Sequence, residues 1–276
     1  MVKDKWIIST PKFQVDEECP LYQSWPWNGH RLFAYDLVKF VKPRMLVELG
    51  TYWGTSFFTF CQAILDNELT TTCVAVDTWE GDDHTGNYQE DVFITVKERC
   101  KKFFPGLSIN LLKMYFEEAL PQFEENSIDI LHIDGCHTYE AVSQDYHSWI
   151  PKLAEQGIVL FHDVAADTGY GSAQFWQEIS ADFPSFEFEH SWGIGILFPK
   201  GTKVYQQMSY NNMEDKLRYY TSASELLLAQ LRVEDLSRIG EARQARIEEL
   251  EQLLEKKEED HRCSLDELEK FKRSKV

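Results

Sequence analysis

Five short apolar runs, alternating with stretches of helical spacing, constrain this chain more than any other feature. They lie at 45–49, 72–76, 108–112, 128–133 and 158–161. Between them, apolar residues recur every three or four positions: Phe33, Leu37, Phe40 and Val41 before Pro43; Phe57, Phe60, Cys61 and Ile64 after Gly54; Tyr139, Val142, Tyr146, Trp149, Ile150 and Leu153 after the fourth run. Strands that are apolar on both faces and alternate with amphipathic helices predict a parallel sheet covered on both sides. Two further runs at 186–190 and 193–198, joined by a short loop, predict an antiparallel hairpin at one edge. The expectation is an α/β, doubly wound, seven-stranded and mostly parallel sheet. In such folds ligands bind beyond the carboxyl ends of the strands, so chemistry is sought there.

Each strand end carries residues suited to a site. After the first run the chain reads Val47-Glu48-Leu49-Gly50-Thr51-Tyr52-Trp53-Gly54. Gly50 permits a tight turn, and Gly54 lets the next helix approach a ligand. The spacing is not G-x-G-x-x-G, so a dinucleotide pyrophosphate cradle is poorly supported and a nicotinamide-dependent oxidoreductase ranks low. Asp77 ends the second run, where a carboxylate can accept hydrogen bonds from ribose hydroxyls. The fourth and fifth runs end in His132-Ile133-Asp134-Gly135-Cys136-His137 and in His162-Asp163. Neighbouring strand ends bring Asp134 and Asp163, with His162 packing or ligating beside them, within reach of one hard divalent cation. His137 would stand next to that ion as a proton acceptor. His132 lies inside its strand and reads as core.

Charge separates the chain into parts. There are 28 basic and 46 acidic side chains, −18 formally. From Glu241 onward acidic and basic residues nearly balance, so the excess belongs to the front of the chain. An acidic domain disfavours nucleic acid, whose phosphates need Lys and Arg. No apolar run is long enough to span a membrane. Six cysteines without metal-type pairing read as reduced thiols of a cytoplasmic protein. The tail repeats Leu236, Ile239, Ile247, Leu250, Leu254, Leu265 and Leu268 among Glu, Lys and Arg, a coiled-coil-like helix with broken heptads. It predicts a homo-oligomer, the other reading being a single solvated helix. The organisation expected is an N-terminal segment 1–29, a catalytic domain 30–210 and a helical extension 211–276.

Four blocks, VELGTYWGTS, VAVDTWEGDDHTGNY, IDILHIDGCHTYEAVSQDYHSWIPKLAEQGIVLFHDV and FEFEHSWGIGILF, resemble the class I S-adenosylmethionine-dependent methyltransferases, which share a Rossmann-like sheet. The similar branch includes metal-dependent sugar O-methyltransferases of macrolide biosynthesis and cephalosporin-hydroxylase-like proteins, with relatives beside glycosyltransferases of polysaccharide synthesis. The resemblance implies that Glu48, Gly50 and Gly54 border the methionine part of S-adenosylmethionine, that Asp77 holds the ribose and that Trp79 packs near the adenine. It implies Asp134 and Asp163 as ligands of Mg²⁺ or another divalent cation, with His137 as base. Some metal-dependent relatives have two adjacent acids where this chain has His162-Asp163, so His162 joins the candidate ligands. The segment 81–88 is expected to form a lid, with 25–27 packing at the same mouth. The implied activity is methyl transfer to a hydroxyl of a sugar or polysaccharide precursor. A non-catalytic cofactor-binding scaffold assembled through the tail is the reading from outside catalysis.

Overall fold

Apolar strands place successive side chains on opposite faces, and here each face meets its own core. In β1 (Met45–Leu49) Leu46 enters one core while Val47 and Leu49 enter the other. β7 (Leu153–His162) does the same, with Ile158 and Leu160 on one side and Val159 and Phe161 on the other. The computed structural model describes residues 5–18, 25–82, 86–87 and 91–273. It divides into two compact units, Met1–Leu228 and Ala229–Val276.

The first unit carries, in chain order, α1 (Trp25–Asn28), α2 (Arg31–Val41), β1, α3 (Thr55–Asp66), β2 (Thr72–Asp77), the short β3 (Gly81–Asp82) and β4 (Gly86–Asn87), α4 (Asp91–Phe103), β5 (Ser108–Lys113), α5 (Phe116–Ala119), β6 (Ile128–Ile133), α6 (Tyr139–Trp149), β7, α7 (Gly171–Ser180), β8 (Ser185–Phe188), β9 (Ile194–Leu197) and α8 (Lys203–Tyr210). The sheet order is β5-β2-β1-β6-β7-β9-β8. Strands β5 to β7 are parallel, and β9 pairs antiparallel with both β7 and β8. The seven-stranded mixed sheet with its antiparallel edge is the one that the sequence pattern predicts. β3 and β4 form a separate two-stranded ladder.

β7 is longer than its apolar run suggests, because Leu153 leaves the preceding helical stripe and pairs with Ile128. A register shift follows, after which Ile130 pairs with Ile158. The ends of the unit are tied into the core. Trp6, Phe13 and Val15 are buried, as are Met213, Tyr220 and Ser224 at the start of α9 (Met213–Arg273). Trp6 Nε1 donates to the Tyr220 hydroxyl at 2.9 Å, and that hydroxyl donates to Asp36. The second unit is the continuation of α9 as one helix. Val233, Leu236, Ile239, Ile247, Leu250, Leu253 and Leu254 on it are all exposed. Among the described residues no helix is long and apolar enough to cross a membrane.

Candidate active site

The turn after β1 is shaped by two glycines and held by a carboxylate. Gly50 has φ +87°, its N–H donates to Val76 O at 2.9 Å, and Asp134 N–H donates to Leu49 O at 2.8 Å. Gly54, also at φ +87°, caps the N-terminus of α3. Asp77 accepts three backbone N–H groups: Thr51 and Tyr52 on Oδ2 at 2.8 and 2.9 Å, and Trp79 on Oδ1 at 2.7 Å. An ionised carboxylate has about four acceptor positions, so Asp77 fixes the turn and keeps capacity for a ligand hydroxyl. Asp77→Ala should therefore loosen the turn and, on the ribose-binding role that the resemblance implies for Asp77, weaken nucleoside binding with it. The expected result is at least a tenfold loss of nucleoside affinity with a lower melting temperature, read by calorimetric titration and thermal melting. A variant unchanged in both would remove Asp77 from the site.

Glu48 lies beneath this turn and does not line the cavity described below. It is fully buried, accepts from Thr51 Oγ1 at 2.9 Å and meets Nδ1 of His132 at 3.0 Å, its neighbour in register on β6. Burial pushes its pKa up, and His132 opposes that shift. Trp79 is buried against Phe93, with ring centroids 4.8 Å apart, and its Nε1 donates to Tyr52 O. Neither Trp79 nor Gly54 is among the cavity-lining residues. Residues 83–85 and 88 of the expected lid lie outside the described residues. Of the aromatic pair at 25 and 27, Trp27 is buried and lines the cavity, its Nε1 3.4 Å from His132 Nε2.

The ends of β6 and β7 converge as their parallel pairing requires. His162 Nδ1 stands 3.2 Å from both Asp134 Oδ1 and Asp163 Oδ2, and His137 Nδ1 stands 3.0 Å from the same Asp163 Oδ2. Asp134, His162 and Asp163 present ligand atoms all within 4.8 Å of one another. Asp163 Oδ1 and His162 Nε2 are buried without a hydrogen-bond partner. Burial disfavours the charged form of His162, but Asp134 and Asp163 outweigh it and hold its pKa at about 10. Burial likewise raises Asp134, yet His162 overrides this and holds it down at about 2.

These shifts set a pH window for the metal-free protein. The raised His162 contributes stability that is fully present below its ordinary 6.5 and is lost as pH rises through about 10. The depressed Asp134 contributes stability that is fully present above its ordinary 3.8 and is lost as pH falls through about 2. The melting-temperature gap between wild type and His162→Gln should thus be widest between about pH 4 and 6.5 and shrink on the alkaline side. A gap constant from pH 4 to 10 would contradict the coupling.

One cavity of about 540 Å³ joins these parts; Gly50, Thr51, Asp77, Asp134, His137, His162 and Asp163 all line it. Three contributors carry no signal in the sequence. Tyr170 stacks on the His137 ring at 5.0 Å, Trp192 stands half-exposed at the lining, and Asp145 of α6 reaches the cavity from a buried position. Tyr170 and Trp192 come from loops between elements, and Asp145 is a polar position in an otherwise ordinary amphipathic helix.

Residues 47–164 match a family described as a methyltransferase domain. The matched segment is similar to that family. It contains the glycine turn, Asp77, Asp134, His137, His162 and Asp163. The chain is 43% identical over 173 residues to an uncharacterized protein, y4gI, of Sinorhizobium fredii. That match covers 62% of this chain and 19% of the relative, so the chain spans about a fifth of that protein's length. The structure is similar to a methyltransferase from Geobacter sulfurreducens, with a TM-score of 0.52, 14% identity, and coverage of 70% of this chain and 92% of that one. At that identity the likeness is one of fold.

Proposed function

We propose that the methyltransferase domain transfers a methyl group from S-adenosylmethionine to a hydroxyl, most specifically one on a sugar or polysaccharide precursor. The observation that carries this reading is the convergence of Asp134, His137 and Asp163 on the same cavity that Asp77 and the glycine turn line. Asp77 suits the ribose hydroxyls, and the tight Gly50 turn lines the cavity on the side proposed for the methionine part. Asp163 Oδ2 accepts from His137 Nδ1–H, which leaves Nε2 as the basic nitrogen and fixes the ring. His137 takes the hydroxyl proton as the acceptor oxygen bonds to the methyl carbon and the carbon–sulfur bond breaks. The cavity's share is mainly alignment and proton removal. Trp192 and Tyr52 present partly exposed rings at the lining, a surface that suits the apolar face of a sugar.

The donor set fits a divalent cation, since Asp163 Oδ1 is buried without a partner beside Asp134 and His162. A cation bound there lowers the pKa of a coordinated hydroxyl. Two carboxylates suit Mg²⁺, while an imidazole among them favours Mn²⁺ or another borderline ion. Methyl transfer from labelled S-adenosylmethionine to a panel of sugar nucleotides and phenols tests the reading, with Mg²⁺, Mn²⁺ or chelator present. Transfer to a sugar that a chelator reduces at least tenfold is expected. Transfer to phenols alone would overturn the acceptor class, and transfer indifferent to chelator would overturn the cation.

The described cysteines are free, which fits a reducing compartment such as the cytoplasm. The exposed Leu, Ile and Val side chains of α9 support self-association through that helix. Sedimentation of the full chain should give a higher subunit count than a chain stopped after Leu228. Equal counts would remove α9 from assembly.

A further inference from the structure

His30, the residue before α2, is fully buried between two other imidazoles, His162 at the end of β7 and His190 after β8. Its Nε2 lies 3.1 Å from the carbonyl oxygen of Ser191. A carbonyl only accepts, so Nε2 carries the proton and donates. Burial disfavours a charged imidazole to which no acid is bonded, so the ring is neutral and Nδ1 is a bare acceptor. That nitrogen is buried without a partner. His162 presents the matching half. Its Nδ1 faces Asp134 and Asp163, each at 3.2 Å, and is the nitrogen directed at the candidate ligand set. The ring proton of a His162 that ligates there is on Nε2, which is also buried without a partner. A donor and an acceptor are thus left over on neighbouring rings, an arrangement that is costly unless they meet.

The ring geometry says which neighbour His30 serves. His190 stacks on it at 26°, which sets the in-plane nitrogens side by side, and His190 Nδ1 already meets Ser224 Oγ at 3.1 Å. His162 approaches at 80° with ring centroids 5.5 Å apart, so a small turn of either ring aims one edge at the other. We propose that His30 positions His162 for the cation, its Nδ1 accepting a hydrogen bond from His162 Nε2–H. This rests on the cation reading above. An imidazole ligand ordinarily gives its second N–H to such an acceptor, which fixes the tautomer and orientation and raises the basicity of the ligating nitrogen. The acceptor here is itself held. The loop that carries Ser191 is fastened to the candidate site: Asp163 N–H donates to Gly193 O at 3.1 Å, and Ala165 N–H to Trp192 O at 2.9 Å. His30 lies outside the matched residues 47–164, so this support comes from the N-terminal part of the chain.

The test is a calorimetric titration of the full chain with Mn²⁺. His30→Phe keeps an aromatic ring in place and removes the acceptor, so Mn²⁺ affinity should fall about tenfold or more, as when such a supporting partner is lost. His30→Asn sets an amide oxygen near the place of Nδ1 and should bind Mn²⁺ within about threefold of wild type. In His162→Glu a carboxylate replaces the imidazole, so adding His30→Phe there should change the affinity by no more than about threefold. A merely structural fault would persist in that background. A His30→Phe that binds as wild type does, a loss carried in full into His162→Glu, or a His30→Asn as weak as His30→Phe overturns the assignment and leaves the cation reading intact. Should His30→Phe not fold, imidazole NMR spectra of wild type decide: an exchange-protected His162 Nε2–H supports the assignment, and its absence overturns it. Wild type that does not bind Mn²⁺ overturns the cation reading, and this assignment falls with it.

Discussion

His137→Gln should lower methyl transfer by about 10²- to 10⁴-fold while S-adenosylhomocysteine affinity stays within about threefold of wild type. The split follows from where His137 sits. Its Nδ1 is engaged at 3.0 Å by Asp163 Oδ2 and its ring stacks on Tyr170, so the side chain is oriented from two directions at the reacting end. The turn proposed to receive the nucleoside is built from other residues, Gly50 and Asp77. Glutamine keeps polarity and approximate length but has no basic nitrogen near neutral pH. Turnover on a wild-type acceptor and calorimetric binding of the product should therefore separate. A variant within tenfold of wild-type turnover would show that another group takes the proton. Equal losses in turnover and binding would show that His137 serves the pocket's shape instead.

Gly50→Ala is expected to damage both stability and binding. A Cβ at this position would lie 2.0 Å from the Asp134 carbonyl oxygen and 2.6 Å from its carbon, both backbone atoms that cannot swing aside. Retreat is blocked as well, because Gly50 N–H is bonded to Val76 O and Asp134 N–H to Leu49 O. The left-handed φ of +87° adds about 1–3 kcal/mol of strain to a similar overpacking cost, so a loss of at least about 3 kcal/mol is expected. For a unit of this size that corresponds to a fall of about 6–12 °C in melting temperature. Nucleoside binding should vanish because the clash displaces Asp134 itself. Gly106→Ala, where the added carbon meets nothing within 4 Å, is the matched control and should melt near wild type. A Gly50→Ala melt within 2 °C of wild type would contradict the tight turn.

The legible and illegible parts of this protein divide along physical lines. Strands such as 45–49 and 128–133 are readable because both faces are buried, which demands unbroken apolar runs. Their mostly parallel pairing follows from the alternation with helices, and the acids at their ends follow from where such sheets place ligands. Register is another matter. Glu48 reads as an acid beside the cofactor turn, yet pairing across two parallel strands sets it against His132 in the core. Trp79 reads as a partner for the base, but the left-handed φ at residue 79 accompanies burial of its ring against Phe93. Asp145 and Trp192 reach the cavity, and Tyr170 reaches the His137 ring, through tertiary packing of a helix and two loops, which no local pattern encodes. The start of α9 reads as part of a helical, coiled-coil-like extension, while Tyr220 is anchored by Trp6 and Asp36 from more than 180 residues away.

The central claim is that the cavity above β1, β2 and β6 holds the methyl donor, with its nucleoside at Asp77 and its reacting end at Asp134 and His137. Calorimetric titration of the full chain with S-adenosylhomocysteine tests it most directly. One saturable site per chain is predicted, abolished in Gly50→Ala and retained in His137→Gln. No detectable binding to the wild-type chain, or binding that Gly50→Ala leaves unchanged, would contradict it.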